Sequence, residues 1–265
     1  MRTEGVSRLR RVSFAARLVR EFGGLLATRP ASVDWPGGVV SFTFDDFPRS
    51  AWTEGGPVLE AHRVRGTYYT AMGFAGGGNH LGPMFELDDL RAAHARGHEI
   101  ACHTFSHRDC MRAPAGEIAA EIERNGAALV EALDGMRPGN FAYPFGGVSQ
   151  TAKAAAHRRF DSCRGTGRGI NRGAVDLADL AANSIYTRDF DGPLLCRLID
   201  DAQARGGWVI FFTHDVTDSP SAFGCTPAQL DAIVAYAAAK IAVLPVRDVL
   251  ARLGLAAAAP VTAAA

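Results

Sequence analysis

His103 and His107 stand four residues apart in the stretch His103-Thr104-Phe105-Ser106-His107. At that spacing two imidazoles can face one cation from a single helical turn, or from a strand end and the turn after it. Taken alone, the pair describes equally well two polar residues capping a strand and a loop. A third ligand is offered by Ser41-Phe42-Thr43-Phe44-Asp45-Asp46, an apolar, β-prone run that ends on two adjacent carboxylates. In a parallel α/β architecture the carboxyl ends of different strands converge on one face, where catalytic groups are assembled. Two imidazoles and one carboxylate meeting there leave coordination positions open for water and substrate, as catalytic metal sites do and structural ones do not.

Such a site needs alternating strands and helices to position it, and the pattern runs from Val39 onward. Val39 to Phe44, Gly66 to Thr70, Gly97 to Cys102, Asn140 to Tyr143, Trp208 to Phe212 and Ala242 to Leu244 read as strands. Helical periods cover 56–62, 87–96, 117–133, 150–159, 194–204, 226–240 and 246–253, with Gly97 placed to end one helix and Ser149 and Thr226-Pro227 to start two others. Cys163 to Asn183 is rich in Gly and Arg and shows no period. Ala75 to Asn79 lacks both the GxGxxG and the P-loop pattern and reads as a flexible loop.

The 265 residues, 48% hydrophobic and 21% charged, suit one large α/β domain. Lys+Arg and Asp+Glu are both 28, so nothing global points to nucleic acid. Residues 1–30 hold seven Arg against two Glu, with Phe14, Leu18, Phe22 and Leu25 at near-helical spacing. This reads as a basic amphipathic helix packed on the domain, with contact to an anionic membrane surface as the alternative. Arg17, Arg20 and Glu21 interrupt any secretory or membrane-spanning core, and the five scattered cysteines form no framework, so a cytoplasmic location is expected. The expected organisation is a basic N-terminal helix and linker at 1–38, one domain at 39–254, and an alanine-rich disordered tail at 255–265.

Four motifs occur in order: Thr43-Phe44-Asp45-Asp46, His103 to His107, Phe141-Ala142-Tyr143-Pro144-Phe145-Gly146, and Phe211-Phe212-Thr213-His214-Asp215. From about Val39 to Leu253 the chain resembles the polysaccharide deacetylases of the NodB homology type, carbohydrate esterase family four. The resemblance implies a single-domain distorted (β/α) barrel and metal-dependent removal of N-acetyl groups from an amino-sugar oligo- or polysaccharide. It implies Asp46, His103 and His107 as metal ligands, Asp45 as general base and His214 as general acid. It also implies that the Phe145 backbone N–H holds the oxyanion. The chemistry agrees with these assignments: a divalent cation polarises a carbonyl and acidifies water, a free carboxylate takes the proton, and a histidine opposite protonates the leaving amine. Zn²⁺ is the first expectation for the cation, and the same ligands accept Co²⁺, Ni²⁺ or Fe²⁺.

One position departs from the family, which often carries an Arg in its third motif to pair with the base; here Ala142 stands there. Arg164 or Arg188 is the candidate replacement, and Asp189 or Asp191 the candidate to orient His214. Phe47, Trp52, Phe74 and Phe223 are candidates to stack on sugar rings, although filling a loop core is the commoner use of such side chains. The alternatives are an amidase or deformylase of the same superfamily acting on a small molecule or a lipid-linked sugar, and a catalytically degenerate binding scaffold. A facial-triad iron oxygenase is disfavoured by the paired aspartates, and a zinc peptidase by the missing Glu of H-E-x-x-H.

Overall fold

The computed structural model describes residues 26–256. The expected N-terminal amphipathic helix, up to Leu25, and the tail from 257 lie outside the described residues. The first half of the chain holds β1 (Pro30–Val33), β2 (Val39–Asp46), α1 (Arg49–Thr53), α2 (Gly55–Ala61), β3 (Thr67–Thr70), β4 (Gly78–Asn79), β5 (Gly82–Pro83), α3 (Leu87–Ala95), β6 (Glu99–Cys102) and α4 (Ala115–Ala132). It continues through β7 (Asn140–Ala142), α5 (Gln150–Ala156), β8 (Ser162–Arg164), β9 (Gly173–Asp176), β10 (Asn183–Ser184), α6 (Gly192–Arg205), β11 (Trp208–Thr213), α7 (Pro227–Ala238), β12 (Ala242–Val243) and α8 (Val246–Arg252).

Eight strands form one parallel sheet in the order β10-β11-β2-β3-β6-β7-β8, with β12 also paired to β2. The sheet curls into a distorted barrel, and the chain at 177–182 helps to bridge its edges. The Cys163 N–H donates to Leu177 O at 2.7 Å and Gly165 N–H to Leu180 O at 3.0 Å before the segment enters β10 beside β11.

Strand alternation divides the side chains into two sets. Val40, Phe42, Phe44, Tyr68, Ile100, Val209 and Phe211 face the helices in the largest buried cluster. Phe141 and Cys163 face α4 and α5 through Ile118, Ile122, Ala152 and Ala156. The opposite set, with Ser41, Thr43, Asp45, Tyr69, Ala101, Ala142 and Arg164, turns into the barrel and is buried.

Helix boundaries follow local chemistry. Ser149 Oγ accepts from Ala152 N–H, and Thr226 with Gln229 forms a capping box ahead of Pro227. Gly97 ends α3 at a φ of 87°, which a side chain would oppose. Residues 30–33, within the stretch expected as linker, instead pair antiparallel with β9. The expected loop at 75–79 contributes β4 to a small hairpin with β5. Among the described residues no helix is long and apolar enough to cross a membrane.

At the amino-terminal end of the strands, buried Glu99 closes the barrel floor. Its carboxylate accepts from Thr67 Oγ1 (2.9 Å), Asn140 Nδ2 (2.5 Å) and the Arg247 N–H (2.9 Å), which ties α8 to the sheet. Glu99→Ala strands three donors in a buried site, and unsatisfied donors cost about 1–3 kcal/mol each. Urea unfolding should therefore show a loss of at least ~3 kcal/mol, with metal binding at the far end retained; a loss below ~1 kcal/mol would show that the floor does not depend on this carboxylate.

Candidate active site

Alternation carries only one of the two adjacent carboxylates into the barrel. Asp45 belongs to the inward set, and a regular strand would point Asp46 outward. The chain leaves β2 through left-handed backbone at Asp46 (φ 64°) and Phe47 (φ 62°). The Asp46 carboxylate thereby meets His103 and His107, while the Phe47 ring packs in the core against Phe85 and Tyr68. After β6, Thr104 (φ 59°) and His107 (φ 55°) are also left-handed, as is Phe145 (φ 60°) after β7. Among the described residues, five of the seven non-glycine positions with positive φ therefore lie at this one place. Each such conformation costs on the order of 1–3 kcal/mol and persists only where its surroundings enforce it.

Asp46 Oδ1 lies 3.4 Å from His103 Nε2 and 3.2 Å from His107 Nε2. The three ligand atoms all fall within 4.8 Å of one another. His103 Nδ1–H donates to the Ala142 carbonyl at 2.8 Å, which leaves the Nε2 lone pair facing the aspartate. Asp46 Oδ1 is buried and has no hydrogen-bond partner. Burial pushes the His103 and His107 imidazoles down to about 4 and about 3, so both are neutral near pH 7. Burial and the Asp45 charge push the Asp46 carboxyl up to about 7. Neutral imidazole lone pairs turned on a buried carboxylate oxygen suit a divalent cation.

Beside this trio, Asp45 is ion-paired with Arg164 on β8. The Arg164 side chain lies between the rings of Tyr69 and Phe212, 5.0 and 4.9 Å from their centroids, and donates to Gly165 O at 2.9 Å. Burial is the largest influence on Asp45 and would raise its pKa. The fields of Arg164, His103 and His214 overcome it and hold the carboxyl below the usual carboxylate range. Of the two candidate cations, Arg164 thus sits on Asp45; Arg188 stands at the cleft mouth. Arg164 is the register partner of Ala142, the position at which the resemblance led an arginine to be expected.

His214 ends the strand run opposite. Its Nδ1 lies 3.2 Å from the Phe223 carbonyl, so a main-chain oxygen orients this ring. Neither expected acid does so: Asp189 pairs with Arg168 at 3.3 Å and Asp191 caps α6. Asp215 turns away and accepts from the N–H and Oγ of Ser221. Burial pulls the His214 pKa below its ordinary value, against the opposing pull of Asp45.

Asp45, His103, His107, Phe145 and His214 line one open cleft of about 370 Å³, within the usual range for small-ligand sites, ~300–1,000 Å³. Asp46 meets the cleft only through the two imidazoles. Phe145 is 72% exposed at the mouth, its ring 4.4 Å from that of His107. Of the four aromatics expected as sugar platforms, Phe47 and Trp52 are buried in the core and Phe74 packs beside His107. Phe223 lines the cleft. The carbonyls of Ala142 and Phe223 escaped sequence reasoning because a main-chain acceptor leaves no mark on residue type.

The sequence model for the polysaccharide deacetylase family matches residues 32–159, a span that includes Asp45, Asp46, His103, His107 and Phe145. Arg164 and His214 lie beyond it. A chitin deacetylase of Arthroderma benhamiae is 30% identical over 118 residues, 43% of this chain and 29% of that protein. A chitooligosaccharide deacetylase of Bradyrhizobium sp. (strain ANU 289) is 30% identical over 144 residues, 54% of this chain and 57% of that protein. This chain therefore spans less than two thirds of the length of either relative. Among solved structures, a family 4 acetyl xylan esterase from Clostridium thermocellum, in complex with a cobalt ion, superposes with a TM-score of 0.57 at 20% identity, over 82% of this chain and 92% of that one. Over residues 32–159 the chain is thus similar to the polysaccharide deacetylase family, and its distorted barrel is the fold of that solved esterase.

Proposed function

We propose that the protein is a metal-dependent hydrolase that removes N-acetyl groups from an amino-sugar oligo- or polysaccharide. The observation that carries this reading is the pairing, in one cleft, of an Asp46–His103–His107 trio suited to a cation with an Asp45 kept anionic by Arg164. His214 lines the same cleft. Simple binding requires neither a buried carboxylate kept anionic nor a histidine on the other side of the cleft.

Asp46, His103 and His107 would hold a divalent cation, which when bound would supply Lewis-acid polarisation of the amide carbonyl and would lower the pKa of water from ~16 toward ~7. Zn²⁺ suits this ligand set first, and Co²⁺, Ni²⁺ and Fe²⁺ fit it as well. Asp45 accepts the proton of the attacking water, and the Arg164 charge keeps it ready to do so at neutral pH. The Phe145 N–H serves the developing oxyanion from the left-handed turn at the cleft mouth. His214 in its imidazolium form donates Nε2–H to the departing nitrogen, while Nδ1–H stays on the Phe223 carbonyl. Acetate and a free amine leave.

Three outcomes follow for the metal-reconstituted protein. Acetate should be released from N-acetylated amino sugars, chitooligosaccharides included, and Asp45→Asn should keep its metal while losing ~10²- to 10⁴-fold in kcat. Metal bound without acetate from any member of such a panel would overturn the reading. His103→Ala and His107→Ala should each lose bound metal by elemental analysis, and stoichiometric metal in both would dismiss the proposed ligands. Arg164→Ala should lower kcat by ~10²-fold with metal retained, and the exchange variant Ala142→Arg/Arg164→Ala should recover part of it, because the two positions share one register. A variant Arg164→Ala that folds, binds metal and turns over normally would remove Arg164 from the mechanism.

A further inference from the structure

The cleft carries a feature that removal of an acetyl group from a neutral sugar does not require. Arg188, exposed at its mouth, lies over two rings at once, 5.1 Å from the Tyr186 centroid and 4.8 Å from that of Phe223. The two rings meet edge to face at 5.8 Å, and each lies within 6 Å of the His214 ring. His80, from the turn between β4 and β5, packs edge-on against Phe223 from a third segment. The guanidinium is therefore held in place one ring away from the group assigned to protonate the amine. A guanidinium stacked on aromatic faces keeps its in-plane N–H donors free and in a fixed fork, the geometry that receives a carboxylate or phosphate through two parallel hydrogen bonds.

Nothing in the described protein uses that fork. Among the described residues no carboxylate forms an ion pair with Arg188, and its sequence neighbour Asp189 is turned to Arg168. Arg168 also lines the cleft, and its pair with Asp189 is 3.3 Å long between side chains that are both substantially exposed, the kind of contact that contributes little and yields to a better partner. Asp45 is the single carboxylate in the cleft lining, and Arg164 compensates it. The mouth is thus left with uncompensated positive charge. A neutral glycan gains little from such charge, since its hydroxyls are met as well by neutral donors and ring faces.

We propose that Arg188, assisted by Arg168, is the recognition site for an anionic group, a carboxylate or a phosphate, carried by the amino sugar whose N-acetyl group is cleaved or by the unit attached to it. The preferred substrate class is then an anionic N-acetylated amino sugar, bound more tightly than a neutral chitin-like chain. This rests on the deacetylase reading for the reaction, but the anion site stands on the geometry of Arg188.

The test separates the two. Binding of N-acetylglucosamine 1-phosphate, N-acetylmuramic acid and neutral N,N′-diacetylchitobiose to the metal-loaded protein is measured by calorimetry at low and high salt, with acetate release followed in parallel. At least one anionic probe should bind roughly tenfold to a hundredfold more tightly than chitobiose, with the advantage shrinking in salt. The probe that shows it tells a phosphate source from a carboxylate source. Arg188→Gln should remove most of that advantage, and Arg188→Lys, which keeps the charge and loses the fork, should keep only part of it. Where the probes turn over, the loss should fall on KM and leave kcat within a few-fold. Equal affinity for all three probes, or an anionic preference that survives Arg188→Gln, overturns the proposal. An Arg188-dependent preference without acetate from any probe upholds the anion site and overturns the deacetylase reading. Acetate released equally well from neutral and anionic probes, with Arg188→Gln altering both alike, does the reverse.

Discussion

Two adjacent buried carboxylates repel each other, and the candidate site depends on how that repulsion is resolved. Asp45 and Asp46 are both almost fully enclosed, where an ionised carboxyl is expensive unless a cation accompanies it. Arg164 settles the matter for Asp45 and leaves Asp46 to a different partner. The consequence is a division: one carboxyl is held below the ordinary range, while burial and its neighbour's charge push the other up to about 7. Two groups of the same chemistry are set to different proton affinities by their surroundings, the pattern that separates acid and base roles where paired carboxyls do chemistry. A positive charge in front of His103 and His107 would complete the balance for Asp46.

The backbone is strained where it must present these groups. A regular strand would send Asp46 into the helical layer, and the helical layer would then contain a charge where Phe47 now sits. The left-handed turn at Asp46 and Phe47 exchanges the two, and the Phe47 ring lies within 5 Å of Tyr68 and Phe85, measured between centroids. Packing of this kind can hold an unfavourable φ in place. The loop after β6 is pinned by polar means instead: Thr104 Oγ1 accepts from the Arg108 N–H at 2.9 Å, and Glu121 accepts from the N–H and Oγ of Ser106. His107 is thus carried on a loop fixed from both ends.

Much of this was legible in the sequence, and the unreadable parts share a cause. The strands from Val39 to Trp208 and the caps at Ser149 and Thr226 follow local rules of periodicity and capping, so residue type alone located them. Asp45, Asp46, His103, His107 and His214 were singled out because the proposed chemistry needs those residue types, and the fold brings them to one place. β1 was read as linker because its Pro and Ala residues have low strand propensity; it exists through its pairing with β9 across more than a hundred residues. The stretch 163–183 defeated periodicity for the same reason, since β8 to β10 are short and are held by partners elsewhere. Sugar platform and core filler both stayed open for Trp52 because a loop-flanked aromatic looks the same in sequence whether it faces a cleft or, as here, His98 and Tyr68. Tertiary placement, not propensity, decides each of these.

The pairing of Ala142 with Arg164 shows how a charge can reach one site from either of two neighbouring strands. In a parallel sheet, register partners on neighbouring strands present their side chains to the same face. Ala142 and Arg164 are such partners, so an arginine stem from β8 enters the space that a longer side chain on β7 would fill. Tyr69 and Phe212 flank its guanidinium and fix the approach to Asp45. Ala142 still serves the site through its carbonyl, which orients His103 and does not depend on the side chain. The Phe223 carbonyl serves His214 in the same way. Where the backbone supplies the orientation and the sheet supplies the register, the constraint falls on where a charge arrives and only loosely on which strand sends it.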